Sequence, residues 1–268
     1  MKKFIFSLFL LFYSALSPAQ QSLTFGIVPQ QSAAELAKLW GPIVKDLSRT
    51  SGIDIHFATA PDIPTFEKRL SAGEYDIAYM NPYHYVVFNQ SPGYQALAKA
   101  RDRLIKGILV VAKDSKINEL TDLQNTTLAF PAPAAFAATI LTQADLTAQE
   151  IDFIPNYVSS HDSVYLTVAK GIYPAGGGVL RTFENIPAEL RGQLRILSTT
   201  KGYTPHAIAI HPRIAAEADK LQQALIAMEQ RQTGKDLLDK INIKGFAQAV
   251  DSDWDDIRAL KLQQLSAK

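Results

Sequence analysis

The stretch LAFPAPAAFAATIL, residues Leu128–Leu141, decides the fold. Leu128–Phe130 is a short apolar run typical of a buried strand. Pro131 and Pro133 end that strand, because proline has no N–H to donate to a sheet. The alanine-rich segment Ala134–Leu141 favours a helix, and a proline suits its first turn. The stretch therefore predicts a strand, a tight turn and a helix.

A helix that begins at the end of a strand points its free N–H groups into the space beyond that strand. The positive end of the helix dipole lies at the same place, so the start of Ala134–Leu141 favours an anion. The alternative is an ordinary strand-to-helix connection, since α/β proteins contain many such turns. The stretch alone leaves both interpretations open.

The first 19 residues have the pattern of a secretory signal peptide. Met1–Lys3 is basic, Phe4–Ala15 is an almost unbroken apolar run, and Ser17–Ala19 supplies small residues before a cleavage point. The run is too short to span a bilayer stably, although an uncleaved N-terminal anchor remains the alternative. Because the chain contains no cysteine, a lipoprotein anchor is excluded. We therefore expect export to the periplasm.

The composition is that of a globular protein, with 47% hydrophobic and 20% charged residues. Removal of residues 1–19 takes away Lys2 and Lys3 from a total of 27 Lys and Arg, against 26 Asp and Glu. A chain so close to neutrality is not expected to bind nucleic acid or an anionic membrane. Without disulfides, an exported protein depends on its hydrophobic core for stability.

Strands alternate with helices along two parts of the chain, which predicts two βα domains with mostly parallel sheets. We assign residues 20–104 and 207–268 to lobe I and residues 105–206 to lobe II. Leu109–Val111 and Ala207–Ala209 are predicted to cross between the lobes, and a small ligand is expected in the cleft. Gly176–Gly178 is predicted to lie in a flexible loop, and residues 212–268 are expected to be largely helical. Predicted strands are 22–28, 53–58, 75–80, 95–100, 106–112, 128–130, 152–157, 194–199 and 206–211.

Several motifs occur together in a recognisable order. They are FGIVPQQS at 25–32, GEYDIAYMNP at 73–82, Leu120-x-Asp122-Leu123, Ser160-His161-Asp162 and VAKG at 168–171. In this order and spacing they resemble the phosphate, phosphite and phosphonate-binding proteins of ABC importers, the PhnD-like family. The resemblance covers nearly all of the mature chain.

The resemblance implies a type II periplasmic-binding-protein fold, in which two α/β lobes joined by a two-strand hinge close on a ligand. It also implies that the protein binds a small anion and delivers it to an ABC permease in the inner membrane. We expect a monomer. A ligand-sensing receptor that acts with a membrane sensor kinase or cyclase is the alternative, because it uses the same two-lobed clamp.

The sequence departs from the family at both of the family's ligand-recognition positions. The family's anion cradle is a Ser-Thr-Ser-Gly turn at a helix start, and the matching positions here are Ala135, Phe136, Ala137 and Ala138. Backbone N–H groups and the helix dipole remain, but every side-chain donor of the cradle is lost. In aminophosphonate binders an acid meets the ligand's amine, and Pro174 stands at that position here. We therefore expect a degenerate cradle and a different anion.

The resemblance and the helix starts together define the expected ligand-binding residues. Tyr83, directly after Asn81 and a proline, is the preferred aromatic candidate, and His161 matches a ligand-contacting position of the family. The alternatives are that the tyrosines pack the lobe and that His161 has a helix-capping or merely polar role. The expected set is Tyr79, Asn81, Tyr83, Ala135, Phe136, Ala137, Ser160, His161 and His206.

No sequence motif of a catalytic, metal or cofactor site is present. The chain has no cysteine, no GxSxG, no HExxH, no phosphate-binding P-loop and no glycine-rich dinucleotide turn. Its five histidines do not have the spacing of metal ligands. We expect neither catalysis, nor a cofactor, nor a metal, although an enzyme built on the same fold remains a weaker hypothesis.

Mass spectrometry of protein from the periplasmic fraction should show a chain that begins at Gln20. This follows from the small residues at Ser17 and Ala19, which fit the signal-peptidase cleavage pattern. An intact N-terminus on protein from the cytosolic fraction would contradict the prediction.

Overall fold

The structure is a computed structural model that describes residues 22–263 and residue 265. The predicted signal peptide at residues 1–19 lies outside the described residues. Within them, no helix combines the length and the apolar character needed to cross a membrane.

The chain alternates between strands and helices through most of its length. The strands are β1 Leu23–Ile27, β2 Ile55–Ala58, β3 Ile77–Met80, β4 Gln95–Ala100, β5 Gly107–Ala112, β6 Thr126–Phe130, β7 Phe153–Tyr157, β8 Ala175–Val179, β9 Leu194–Thr199, β10 Ala207–Ile210 and β11 Phe246–Gln248. The α-helices are α1 Ala33–Ser51, α2 Ile63–Ser71, α3 Pro82–Gln90, α4 Thr142–Ala148, α5 His161–Ala169, α6 Leu180–Asn185, α7 Ala188–Arg191, α8 Ala218–Ile226, α9 Gln232–Asp239 and α10 Asp255–Arg258. A π-helical segment, Phe136–Leu141, runs directly into α4, and short 3₁₀ turns cover Leu120–Leu123, Pro212–Glu217, Ala227–Gln230 and Asp251–Trp254.

Local sequence signals account for the first helix. Ser32 caps α1 by accepting a hydrogen bond from the backbone N–H of Glu35 at 3.3 Å. One face of the helix is buried, including Trp40 and Leu47. The helix ends at Gly52, whose positive φ of 66° is the left-handed conformation that glycine adopts without strain. The predicted strand–helix–strand opening of the chain is confirmed.

Among the described residues, the strands form one six-stranded and one five-stranded sheet. The first has the order β11-β4-β10-β3-β1-β2 and the second the order β7-β6-β8-β5-β9. Both sheets are mixed, because β10 is antiparallel to β3 and β4, and β5 is antiparallel to β8 and β9. The prediction of mostly parallel sheets was therefore wrong. The prediction also missed β11, an edge strand in a region expected to be helical.

The two connections between the sheets lie outside the predicted crossing points. Leu109–Val111 lies inside β5 and Ala207–Ala209 lies inside β10, so both are ordinary sheet residues. The chain instead passes between the sheets in residues 101–106 and 200–206, where Ile105 and Tyr203 form an isolated antiparallel bridge. The predicted two-strand connection exists, but it lies a few residues before each apolar run.

Gly176–Gly178 is a central strand and not the predicted flexible loop. β8 lies between β6 and β5 in the second sheet. A methyl group at Gly177 would overlap the carbonyl oxygen of Ala138, and one at Gly107 in β5 would overlap the carbonyl oxygen of Ala137. The backbone of the π-helical segment therefore packs directly on the sheet. Glycine is required because no side chain fits between the two backbones.

Substitution Gly177→Ala should lower the free energy of unfolding by about 1–3 kcal/mol, since the added methyl overpacks a site enclosed by backbone. Gly41→Ala in α1 is the control, because its methyl would meet no atom within 4 Å. It should change the free energy of unfolding by less than about 1 kcal/mol. Urea denaturation of both variants measures the difference, and equal stability of the two would contradict the packing argument.

Candidate ligand-binding cleft

The helical segment that follows β6 begins at the cleft between the two sheets. Ala135 precedes its first turn, and the carbonyl oxygen of Ala135 accepts from the N–H of Thr139 at 2.8 Å and of Ile140 at 3.4 Å. Phe136 and Ala137 are in the first turn of the segment, where N–H groups have no intrahelical partner. These N–H groups and the positive end of the dipole can bind an anion.

A cavity between the lobes lies at this helix start. Together with its opening to solvent, it has a volume of about 250 Å³. Residues that line it are Val28, Gln30, Ile63, Asn81, Ile105, Ala135, Phe136, Ala137, Ala138, His161, Val179 and His206.

His161 is the first residue of α5 and is only 2% exposed. Its Nδ1 lies 3.1 Å from the hydroxyl oxygen of Thr182, which donates its own hydrogen to the carbonyl of Val179 at 2.8 Å. With that hydroxyl hydrogen committed, Nδ1 is the donor and Nε2 keeps a lone pair. Burial, with the nearby charge of Arg181, lowers the pKa of His161 to about 3. The imidazole is therefore neutral and supplies no positive charge to the cleft.

His206 and Tyr79 form a stacked pair beside the cavity. Their ring centroids are 4.8 Å apart with an angle of 15° between the planes, and Trp40 packs on the other side of Tyr79 at 4.4 Å. His206 is 3% exposed, and its Nε2 is buried without a hydrogen-bond partner. Burial lowers the pKa of His206 well below its ordinary value. Both rings also line an adjoining cavity of about 410 Å³ empty volume.

Sequence reasoning missed Gln30 and Arg181, which face the same cleft. The guanidinium of Arg181 donates to the side-chain oxygen of Gln30 at 2.8 Å and lies 6.0 Å from the ring centroid of Tyr79. Its charge also lowers the pKa of both cleft histidines, secondary to burial. No local motif marks either residue: Gln30 lies in the turn after β1, and Arg181 follows the glycine strand β8. Their positions become visible only when the two sheets face each other.

Direct contacts hold the two lobes together across the cleft. The side-chain amide of Asn81 donates to the carbonyl of Ala134 at 3.2 Å, and the backbone N–H of His161 donates to the carbonyl of Gln30 at 3.0 Å. Asp162 accepts from the backbone N–H of Ser32 at 3.2 Å. The lobe I core continues into the helical segment that begins at Phe136. The molecule is therefore in a closed arrangement.

Two residues of the expected set lie away from the cavities. The hydroxyl of Tyr83 accepts from the backbone N–H of Leu265 at 2.8 Å, and Tyr83 lines a separate surface groove beside α10. As the second residue of α3, it points toward the chain's C-terminal part. Ser160 is the N-cap of α5 and accepts from the N–H of Ser163 at 3.1 Å. The side chain of Ser160 is thus occupied in capping α5.

Two α/β lobes with a cavity between their sheets are typical of the class of periplasmic ligand-binding proteins. A family model described as ABC transporter, phosphonate, periplasmic substrate-binding protein matches residues 25–254. The chain therefore belongs to that family, as the resemblance in its sequence predicted. Proteins of this family are substrate-binding components and not enzymes.

Two relatives of known description match parts of the chain. The phosphate-import protein PhnD of Mycolicibacterium smegmatis is 24% identical over 184 residues, which cover 58% of this chain and 54% of the relative. The phosphonates-binding periplasmic protein of Escherichia coli is 30% identical over 117 residues, 40% of this chain and 35% of the relative. The chain thus spans about half the length of the first relative and about a third of the second.

Solved structures confirm the predicted fold. A binding protein component of an ABC phosphonate transporter from Pseudomonas aeruginosa has a TM-score of 0.83 at 19% identity, covering 91% of this chain and 87% of its own. PhnD1 from Prochlorococcus marinus in complex with methylphosphonate has a TM-score of 0.84 at 18% identity, covering 91% and 99%. At these identities the likeness establishes the architecture alone.

The buried neutral imidazole of His161 should make stability depend on pH. Its folded pKa of about 3 lies below the ordinary value of 6.5, so the unfolded chain takes up the proton first. Stability should therefore fall as the pH drops below about 6.5, by about 1.4 kcal/mol per pH unit for such a group. Urea denaturation between pH 4.5 and 7 measures this slope.

His161→Gln should reduce the slope of the free energy of unfolding against pH by about 1.4 kcal/mol per pH unit, which is the contribution of one proton. Thr182→Val is the matched control, because it removes the hydrogen-bond partner and leaves the imidazole buried. The Thr182→Val control should be less stable than the wild type, but its stability should depend on pH with the same slope. An unchanged slope in His161→Gln would contradict the assignment of a buried neutral histidine.

Proposed function

We propose that this protein is the periplasmic solute-binding component of a phosphonate, phosphite or phosphate-type ABC importer and binds a small anion between its lobes. The observation that carries the proposal is the cavity at the start of the helical segment 136–148. The first-turn backbone of Phe136 and Ala137 and the side chain of His161 lie together there, which is an arrangement suited to an anion. The relatives named for phosphate import and phosphonate binding support this class of ligand.

The ligand itself should differ from an aminoalkylphosphonate. A hydroxyl hydrogen bond to a charged acceptor contributes roughly 1.5–3 kcal/mol, and two such losses weaken binding by about two to four decades. At the cavity wall, Ala135, Phe136 and Ala137 offer no side-chain donor. Phe136 instead adds apolar surface and packs edge-on against Tyr203 at 5.8 Å. The preferred ligand is therefore an anion with an apolar part.

Ligand capture requires the lobes to separate and close again. The connecting residues 101–106 and 200–206, joined by the bridge between Ile105 and Tyr203, form the hinge in this proposal. The closed form presents a joint surface of both lobes to a membrane permease. Delivery to that permease and action as a monomer belong to the proposal.

A thermal-shift screen should identify the ligand, because a compound at about 100 times its Kd stabilises the fold by about 2.7 kcal/mol. We expect 2-aminoethylphosphonate and phosphite to bind weakly or not at all, and an apolar-substituted phosphonate such as phenylphosphonate to bind more tightly. Phosphate, methylphosphonate, sulfur oxyanions and organic acids complete the panel. The best ligand should also reduce the radius of gyration in small-angle scattering.

His161→Ala should weaken binding of that ligand, since His161 lines the cavity. His56→Ala is the control, because the His56 side chain is exposed. Submicromolar binding of 2-aminoethylphosphonate, undiminished in His161→Ala, would show that the cradle is wrongly assigned. A ligand that binds without any compaction would contradict the proposed clamp motion.

A further inference from the structure

The cavity beside the helix start adjoins a second, more basic space. The two cavities share Ile105, Val179 and His206 in their walls. The second is lined by three cationic side chains, Arg103, Lys106 and Arg181, and by no Asp or Glu of the described part of the chain. In a molecule that occupied both spaces, the middle would contact the apolar wall residues and the far end would lie among the cationic side chains.

Arg181 is one of the charges of this second space that have no acidic partner among the described residues. Within residues 22–263 and 265 it forms no ion pair, and its hydrogen-bond partners are the neutral oxygens of Gln30 at 2.8 Å and Ile241 at 3.4 Å. Arg103 differs, because its guanidinium pairs with Glu184 at 2.6 Å. A partly buried guanidinium without a counter-charge is costly, and an acidic group of a ligand would supply that counter-charge.

His206 supplies a second, independent observation at the same place. Its ring is 97% buried between Tyr79 and the cavities, and its Nε2 has no hydrogen-bond partner. Buried polar atoms in native proteins are almost always hydrogen-bonded, so this unpaired nitrogen, on a residue that lines both cavities, is available to a ligand. A neutral imidazole can donate one hydrogen bond to an acidic group held by Arg181.

We propose that Arg181 and His206 bind a second acidic group, so that the ligand is a bifunctional anion with an apolar middle. The inference rests on the proposed function of the cleft and deepens it by naming the ligand class. One acidic group of the ligand lies at the helix start near Ala135–Ala137, and the other forms an ion pair with Arg181. A ligand with an ammonium group at that end is disfavoured, because Arg181 and Lys106 repel it.

Three phosphonates that differ at one end test the proposal: ethylphosphonate, 2-aminoethylphosphonate and phosphonoacetate. Isothermal titration of the wild type should give phosphonoacetate a Kd about tenfold to hundredfold lower than that of ethylphosphonate, from the added charged hydrogen bonds. 2-Aminoethylphosphonate should bind most weakly. The Tyr79–Trp40 contact offers tryptophan fluorescence as a second readout.

Arg181→Gln should remove most of the preference for phosphonoacetate while affecting ethylphosphonate little, and Arg181→Lys should retain part of it. His206→Phe keeps an aromatic ring beside Tyr79 without the donor and should also reduce the preference. Arg49→Gln is the control, because the Arg49 side chain is exposed near the end of α1 and lines neither cavity. Thermal denaturation of each variant identifies any that fail to fold. If Arg181→Gln fails to fold, the preference for phosphonoacetate is compared between the wild type and Arg181→Lys.

The outcomes separate this inference from the proposed function. Ethylphosphonate binding as tightly as phosphonoacetate, or an equal loss of both in Arg181→Gln, overturns the second acidic site and leaves the anion-binding cleft standing. Binding of none of the three phosphonates to the wild type overturns the second acidic site, and it overturns the proposed function as well if no anion of the thermal-shift panel stabilises the fold.

Discussion

The close approach of a helical backbone to the second sheet is the constraint on which the cleft depends. The carbonyl groups of Ala137 and Ala138 lie where a methyl group on Gly107 or Gly177 would be. Because backbone meets backbone there, the helical segment has a fixed distance from the sheet, and interiors are packed too densely for it to shift without cost. The first N–H groups of the segment are therefore held at the edge of the cleft.

The positive charge of the cleft comes from the cationic side chains of the adjoining cavity, Arg103, Lys106 and Arg181, and not from its histidines. Burial keeps His161 and His206 neutral by lowering the pKa of each, and the charge of Arg181 adds to that effect. In an interior of low dielectric, one uncompensated guanidinium acts over a longer distance than it would in water. The two imidazoles then contribute directed hydrogen bonds, while Arg181 contributes the attraction for an anion.

Closure joins the lobes through a small number of directed contacts on a broad apolar surface. Gln30 binds the second lobe twice, through its backbone carbonyl to His161 and through its side-chain oxygen to Arg181. Asn81 adds a third contact to Ala134, and the lobe I core extends onto the helical segment. Residues that hold the lobes together are thus also walls of the cavity, so ligand binding and closure are coupled through the same side chains.

The sequence by itself determined the elements whose causes are local. The cap at Ser32, the strand–turn–helix around Pro131 and Pro133, and the ordered motifs of the family all act within a few residues, so they can be read along the chain. Six of the nine expected ligand-binding residues line the cavity at the helix start: Asn81, Ala135, Phe136, Ala137, His161 and His206. Tyr79 lines the adjoining cavity.

Only the tertiary structure decided the features that depend on which elements meet. Gly176–Gly178 has the composition of a loop and becomes a central strand, because a helix packs on it so closely that no side chain fits. Tyr83 follows the same motif as Asn81 but contacts Leu265, since neighbouring residues on a helix point in different directions. Arg181 lies in no motif, and it becomes one of the charges of the cleft because the fold places it opposite Gln30.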